Sequence, residues 1–234
     1  MIVSVPLAHA GRDAVPVRPL TGADEIALSP GVAGWTASVL AAVIGWDAEL
    51  DALSIGDRNA LLLGVLAATY GPRLSWQLDC PACGKPLDLD LDIGDLLAAA
   101  PDAPEAGLPE FRVPTVGDLA AVAGLEPDDA RMALLARCVE GELDDASAAA
   151  VEDAMAAADP LSDITLVLTC AECGTQTPVG VDVAMELLAR ITTPADLLVD
   201  VHALALAYGW TEPDVLALPR PRRQEYLALI ADVS

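Results

Sequence analysis

Apolar and polar residues alternate in two separate stretches of the chain, and each stretch predicts a β-hairpin with one buried face. In both stretches a C-x-x-C-G sequence stands between the two predicted strands, within residues 74–93 and residues 164–183. The chain therefore contains an internal repeat of strand, turn, strand and short helix. The matching positions, at an offset of 90 residues, are Leu74, Trp76 and Leu78 with Ile164, Leu166 and Leu168, and Leu89, Leu91 and Ile93 with Val179, Val181 and Val183.

The other apolar residues recur mainly at helical spacing, so the rest of the chain is predicted to be mostly helical. Ser54 or Asp57 is a suitable cap for a helix that ends at Tyr70, and Thr115 for one that ends near Ala123. A short strand is predicted at residues 111–113. The remaining predicted helices cover residues 35–50, 128–139, 147–158, 194–208, 212–218 and 220–231. The pattern predicts an α+β fold that is mostly helical, with a small antiparallel β unit built from the two hairpins.

Composition and periodicity divide the chain into six segments. Residues 1–30 mix proline, glycine and charge, and are predicted to be an N-terminal arm that orders on a partner. The proline-rich residues 99–109 are typical of a solvated connector. The other predicted segments are an N-terminal helical segment (31–73), the first hairpin (74–98), a helical insertion (99–162), the second hairpin (163–190) and a C-terminal helical segment (191–234).

Four of the five cysteines form the two pairs, Cys80 with Cys83 and Cys170 with Cys173. Three chemistries use such pairs: a zinc site with four thiolate ligands, a redox-active dithiol, and structural disulfides. A redox dithiol stands at the N-terminus of a helix, whereas strand-like sequence follows both pairs here. A cytoplasmic location disfavours disulfides. We therefore expect one structural Zn²⁺ per chain, held by all four cysteines in a zinc-ribbon-like β unit.

The two cysteine pairs lie much further apart than the roughly 15–20 residues that separate the pairs of a compact zinc ribbon. Either a subdomain is inserted between the two turns, or each pair completes a site in another chain. The internal repeat favours the first alternative, because two facing hairpins bring their turns together. The fifth cysteine, Cys138, lies in an apolar helical stretch and is expected to be a small buried residue.

The charge balance is strongly acidic, since 12 Lys+Arg and 36 Asp+Glu give a formal net charge of −24. Such a chain repels nucleic-acid phosphates and anionic membrane surfaces, so we expect neither as a partner. The longest uncharged stretch, residues 26–46, contains Pro30 and three glycines and is unsuited to crossing a membrane. With no basic leader sequence at its start, the chain is expected to be cytoplasmic at synthesis.

The sequence contains little that indicates a catalytic function. H-E-x-x-H, G-x-x-x-x-G-K-[ST], G-x-G-x-x-G and G-x-S-x-G motifs are all absent, and His9 and His202 are the only histidines. Four cysteine ligands would close the coordination sphere of a zinc ion. The alternating Asp88, Asp90 and Asp92 are expected to form a solvated strand face. We therefore expect a protein that is not an enzyme.

Three parts of the chain resemble a family of baseplate-hub assembly chaperone-like proteins. These proteins belong to T4-type contractile phage tails and to extracellular contractile injection systems. The resemblance implies a zinc-binding assembly protein or baseplate component that contacts hub or wedge proteins. It would be made in the cytoplasm and then either retained in the assembled particle or released after assembly. The parts concerned are residues 58–97 with a G-x-R-L step and a C-P-x-C-G turn, residues 158–188 with the second C-x-x-C-G, and the segment from Val199 with His202, Tyr208, Trp210, Arg222 and Tyr226.

The expected contact surface for such a partner lies near the C-terminus, because arginine and aromatic side chains often anchor interfaces. An alternative is that the aromatic residues only pack the C-terminal helices together. Two other functions stay open: a nucleic-acid-binding zinc ribbon, which the charge opposes, and a thiol-redox enzyme, which requires a cysteine of low pKa. The predicted partner-binding residues are Tyr208, Trp210, Arg220, Arg222, Arg223 and Tyr226.

Overall fold

The computed structural model describes residues 1–11, 14–28, 34–45, 49–102, 108–141 and 144–233. This part of the chain is mostly α-helical and holds three two-stranded antiparallel sheets, as the sequence predicts in outline. The strands are β1 (Val3–Pro6), β2 (Ala14–Val17), β3 (Arg73–Asp79), β4 (Pro86–Asp92), β5 (Thr165–Thr169) and β6 (Gln176–Gly180). The helices are α1 (Gly22–Ala27), α2 (Trp35–Ile44), α3 (Ile55–Tyr70), α4 (Ile93–Leu97), α5 (Val116–Val122), α6 (Pro127–Cys138), α7 (Asp145–Ala158), α8 (Val183–Arg190), α9 (Pro194–Tyr208), α10 (Glu212–Leu216) and α11 (Arg220–Val233).

Helix α3 lies at the centre of the core. Twelve of its 16 residues are buried, so neighbours surround it on all sides. The predicted cap and stop are confirmed, since the Ser54 side chain accepts a hydrogen bond from the Asp57 N–H at 3.0 Å and the helix ends at Tyr70 before Gly71. The β1–β2 hairpin and helices α2, α4, α8 and α11 pack on α3, which therefore organises the molecule.

The β1–β2 hairpin covers one side of α3. Its alternating valines form an apolar face, and Val5, Val15 and Val17 have almost no exposed surface. This burial corrects the prediction that residues 1–30 form an arm that orders on a partner. Proline and glycine favoured the arm in the sequence, but a two-stranded sheet has only edge strands, and an edge strand tolerates Pro16.

Gly64 permits the close approach of this hairpin to α3. A β-carbon at this position would lie 2.3 Å from Val5 Cγ2. We predict that Gly64→Ala lowers the free energy of unfolding by about 1–3 kcal/mol, because the hairpin must move away from the helix. Thermal unfolding measures the effect, and Gly124→Ala is the matched control because a β-carbon there meets nothing within 4 Å. Equal melting temperatures for the two variants would contradict the packing of β1 on α3.

The repeat seen in the hairpins extends over most of the described chain. Helices α1, α2 and α3, the β3–β4 hairpin and α4 are followed in the same order by α5, α6 and α7, the β5–β6 hairpin and α8. Helix α3 follows its cap Ser54 and α7 follows its cap Asp144, so these helices also keep the offset of 90 residues. We call the two halves unit 1 (residues 14–98) and unit 2 (residues 108–190).

Both units open with the sequence Arg-x-x-Thr-x-x-Asp, which forms the same ion-paired structure twice. Arg18 donates to both carboxylate oxygens of Asp24, at 2.6 and 3.0 Å, and to a carbonyl oxygen in the last turn of α2 at 2.8 Å. Arg112 donates to both oxygens of Asp118, at 2.5 and 3.0 Å, and to a carbonyl oxygen in the last turn of α6 at 3.0 Å. The aspartates also complete the capping boxes of α1 and α5. Each ion pair thus fixes the first helix of its unit to the second.

The ion pair in unit 2 predicts a loss of stability in acid. Hydrogen bonds from Arg112, from the Thr115 backbone and from Arg137 hold the pKa of the nearly buried Asp118 well below its usual range, although its burial acts in the opposite direction. Because the folded-state pKa lies below the unfolded-state value, the stabilisation is complete above about pH 4 and is lost as the pH falls further. We expect Asp118→Asn to have a lower free energy of unfolding than the native chain at neutral pH. This difference in the free energy of unfolding should shrink below about pH 4. A difference that does not change with pH, measured by urea unfolding, would contradict this assignment.

Some predicted elements differ in extent from the structure. The helix predicted for residues 35–50 ends at Ile44, and residues 46–48 lie outside the described part. Asp144, rather than Ser147, caps α7, because its carboxylate accepts the Ser147 N–H at 2.8 Å. The strand predicted at residues 111–113 is a single bridge between Phe111 and Val139. Residues 103–107 of the predicted connector are also outside the described part.

Candidate metal centre

The two cysteine hairpins are built alike, each with one half-buried face and one exposed face. In the β3–β4 hairpin, Trp76 pairs with Leu89, and this face is half-buried. On the opposite face Gln77 donates to Asp88 at 2.9 Å and Ser75 donates to Asp90 at 2.5 Å. Asp88 and Asp90 are exposed, so the predicted solvated strand face is confirmed for these two residues. The alternation of the sequence therefore determines which face of each hairpin turns inward.

Each C-x-x-C-G turn folds around its first cysteine. The Cys80 N–H donates to the carbonyl oxygen of Lys85, and the Gly84 N–H donates to the carbonyl oxygen of Cys80, both at 2.8 Å. The second turn repeats both hydrogen bonds at 2.9 Å around Cys170. Gly84 has a φ of +68° and Gly174 a φ of +73°, a left-handed conformation that a β-carbon disfavours. The glycine after each pair thus lets the strand turn back tightly, with both sulfurs near the tip.

The structure brings the four predicted ligands into one cluster at the tips of the two hairpins. Their sulfur atoms all lie within 4.8 Å of one another. The Cys80 and Cys173 Sγ atoms are 3.7 Å apart, and so are those of Cys83 and Cys170. The cysteines are therefore positioned to bind a metal ion, and each close pair joins one hairpin to the other.

The sulfur spacing fits metal coordination and does not fit disulfide bonds. A disulfide brings two sulfurs to about 2.05 Å, whereas all five cysteines of this chain are free thiols. A tetrahedron with metal–sulfur bonds of about 2.3 Å has sulfur–sulfur edges of about 3.8 Å. The two closest pairs already have this separation. The structural-disulfide alternative therefore has no support from the geometry.

The electrostatics of the cluster also favour a bound cation. Hydrogen bonds of the Cys173 sulfur with the Thr175 hydroxyl and with the Thr175 backbone N–H, together with the Cys83 thiol, lower the pKa of Cys173 to about 6. The Lys85 N–H acts in the same direction on Cys83, but desolvation and the three neighbouring sulfurs outweigh it and raise the pKa of Cys83 to about 12. The pKa values of the two exposed thiols are thus shifted in opposite directions through contacts with the neighbouring sulfurs. A divalent cation among the sulfurs would favour the deprotonated form of both cysteines.

A contact that the sequence did not predict also joins the two units. Trp76 of β3 donates from Nε1 to the carboxylate of Glu186 in α8, and Glu186 is also ion-paired with Arg190. The hairpin of unit 1 is thereby joined to the helix that follows the hairpin of unit 2. Alternation within one hairpin contains no signal for this contact, because the two partners belong to different units.

The predicted partner-binding residues separate into two groups. Tyr208, Trp210 and Tyr226 form an aromatic cluster: Tyr208 stacks on Trp210 at 4.9 Å between ring centroids, and Tyr226 meets both rings edge-on. The Arg222 guanidinium lies 4.8 Å from the Tyr226 ring centroid, and its side chain is exposed. Since Tyr208 is also exposed, part of this cluster is accessible on the surface. The same rings pack α9 against α11, as the alternative prediction stated.

Arg220 and Arg223 point inward, which corrects their assignment to the contact surface. The Arg223 side chain has no exposed area and donates to Glu25 at 2.6 Å and to Asp200 at 2.9 Å. Arg220 donates to Glu25 at 3.4 Å and lies over the ring of Tyr70. A basic sequence near the C-terminus resembled a surface patch, but Glu25, almost 200 positions away in the chain, supplies the buried counter-charge.

Cys138 is placed as the sequence predicts. Cys138 is buried in the small core of α6 and α7, and desolvation raises the pKa of its thiol. His202 is exposed on α9. The Arg-x-x-Thr-x-x-Asp ion pairs were missed at the sequence level, although their recurrence at Arg18 and Arg112 was a readable signal. These ion pairs position the helices that lead to the cysteine hairpins.

Comparison with known proteins provides no family assignment. No protein-family model, no curated protein and no solved structure matches the chain. The resemblance to contractile-tail assembly proteins therefore stays a prediction. Within the described residues, no helix combines the length and the apolar character needed to cross a membrane.

Proposed function

We propose that the protein is a non-enzymatic assembly protein whose two units are closed on each other by one structural Zn²⁺. The observation that carries this proposal is the convergence of four cysteine sulfurs from two distant hairpins. Zn²⁺ favours four thiolates in tetrahedral geometry, and four protein ligands leave no position for water or substrate. The residues that would hold the ion are Cys80, Cys83, Cys170 and Cys173.

In this proposal the ion stabilises the contact between unit 1 and unit 2. The closest sulfur pairs join residues 93 and 87 positions apart, so the ion would close a long loop of chain. Binding energy at such a site is folding energy, because the unfolded chain lacks the preformed cluster. The Trp76–Glu186 hydrogen bond supports the same junction from the side. The metal would thus keep unit 1 and unit 2 in one fixed arrangement and so present a rigid surface to a partner.

The assembly role is supported by the sequence resemblance and by the charge. A formal net charge of −24 favours partners with a basic surface and accelerates their association. The resemblance names such partners as baseplate, hub or wedge proteins of a contractile tail. Tyr208, Trp210, Tyr226 and Arg222 supply aromatic and guanidinium groups of the kind that anchor protein interfaces.

Affinity purification of the tagged full chain from its native host tests the assembly role. We expect a hub, wedge or other baseplate protein to be recovered in amounts comparable to the tagged chain. Arg222→Ala, which removes the exposed guanidinium of the aromatic cluster, should reduce the recovery. Recovery of no tail protein by a chain that still holds its metal would contradict the assembly role while leaving the metal site intact. Clear binding to DNA or RNA at low salt, where electrostatic attraction is strongest, would instead favour the nucleic-acid alternative.

A further inference from the structure

Helix α9 presents an apolar surface to solvent. Leu198, Val199 and Leu206 are 59%, 66% and 79% exposed. Ala195 and His202 are also exposed, and the five residues stand at positions i, i+3, i+4, i+7 and i+11, so they lie along one face of the helix. We call this face the α9 stripe. Scattered exposed leucines are ordinary on a protein surface, but a continuous stripe marks an interaction surface.

The other face of α9 holds the helix in place without help from the stripe. Leu197 and Leu204 on that face are buried, and α10 and α11 pack against the helix. Thr193 caps its first turn by accepting the Asp196 N–H at 3.2 Å. The stripe is therefore presented by a helix that is already fixed, and covering it with a partner requires no rearrangement of the fold.

The charge of the molecule determines which partner can cover the stripe. Of the 12 basic residues, at least eight form ion pairs within the chain, so few cations remain to balance the acidic surface. The neighbouring helix α10 adds Glu212 and Asp214, both of them exposed. A second copy of the chain would bring two such surfaces together and be repelled, as would an anionic membrane. A cationic protein surface is the complementary occupant.

We infer that the α9 stripe binds an amphipathic helix of a partner protein, with apolar side chains on one face and lysine or arginine along its flanks. Apolar residues at positions i, i+3, i+4 and i+7 of that helix would pack on the stripe, as in other helix-in-groove complexes. The basic flanks would meet the acidic residues of α10 and accelerate the encounter. This inference rests on the proposed assembly role and adds to it the surface and the chemistry of the partner.

Two synthetic helical peptides test the inference. Each has about 18 residues, which is about five helical turns. Both carry leucine at the four spaced positions; one has lysine flanks and the other glutamate flanks. Fluorescence anisotropy measures their binding to the metal-loaded full chain at low and moderate salt. We expect the lysine-flanked peptide alone to bind. Its affinity should fall about tenfold or more in the double variant L198Q/L206Q, which removes apolar surface and leaves the charge unchanged.

The control is the double variant V167T/M185Q, which alters comparably exposed apolar residues on β5 and α8. Its affinity for the lysine-flanked peptide should equal that of the native chain. Equal binding by L198Q/L206Q would show attraction to the acidic surface in general and would overturn the inference. Dimers of the native chain that L198Q/L206Q abolishes would also overturn it, in favour of a second copy as occupant. Absence of binding by the lysine-flanked peptide would overturn the inference. If that same chain holds its metal and recovers a tail protein, the proposed function is unaffected.

Discussion

Replacing Cys83 with serine is expected to abolish stoichiometric metal binding and to lower the melting temperature by roughly 10 °C. Cys83 is exposed, so the substitution costs no core packing and its effect reports the loss of a ligand. Three remaining sulfurs cannot complete a closed tetrahedral site, and the two hairpins lose the ion that joins them. Elemental analysis of the purified variant measures the metal, and calorimetry or circular dichroism measures the unfolding.

The matched control is Ala82→Ser, which introduces the same side chain into the same exposed turn. This variant should keep one metal ion and the native melting temperature. Cys173→Ser should reproduce Cys83→Ser, because the two cysteines are equivalent in the repeat and both are exposed. If Cys83→Ser binds metal and unfolds like the control, the four-cysteine site does not hold the units together.

Replacing Arg223 with alanine is expected to destabilise the protein by about 3–5 kcal/mol. The side chains of Arg223 and Glu25 are both 0% exposed, and removal of the guanidinium leaves the Glu25 carboxylate buried with weaker compensation from Arg220 and Thr192. A buried charge that loses its partner is far more costly than a surface pair that is broken. Equilibrium unfolding in urea measures the difference.

The neighbouring residue provides the control for this prediction. Arg222 is 57% exposed and pairs with the exposed Glu225, so Arg222→Ala should leave the unfolding midpoint almost unchanged. The two arginines adjoin in the chain and differ in burial. Equal stabilities for Arg222→Ala and Arg223→Ala would contradict the buried ion-pair network and would restore Arg223 as a candidate for partner contact.

The local parts of the candidate site were predictable from the sequence. Each C-x-x-C-G turn contains its ligands and its glycine within a few residues, and alternation of apolar residues determines the inward face of the hairpin. The internal repeat also predicted that the two turns face each other, since similar hairpins with apolar faces tend to pack together. The caps Ser54 and Thr115 were predictable for the same reason, because a capping side chain and the backbone N–H that donates to it lie within one helical turn.

The parts that were not predictable depend on contacts between distant residues. Arg223 looked like a surface residue because its counter-charge, Glu25, stands near the other end of the chain. The first strands looked like an arm because no neighbouring sequence shows what their apolar face packs against. That face packs on α3, and Gly64 leaves room for the close contact. The Trp76–Glu186 hydrogen bond joins the two units, and the sequence of neither unit alone contains a pattern that predicts it. Only the Arg-x-x-Thr-x-x-Asp sequence was a local signal that could have been found by extending the repeat toward the N-terminus.

In the proposed function, one metal ion closes unit 1 and unit 2 within a single chain. Native mass spectrometry of the full chain, purified under reducing conditions, is the most direct test of this closure. We expect a monomer that carries one Zn²⁺ and has lost the protons of four thiols. A stably folded monomer without metal, an iron-containing protein, or a dimer that shares its ions between subunits would contradict it.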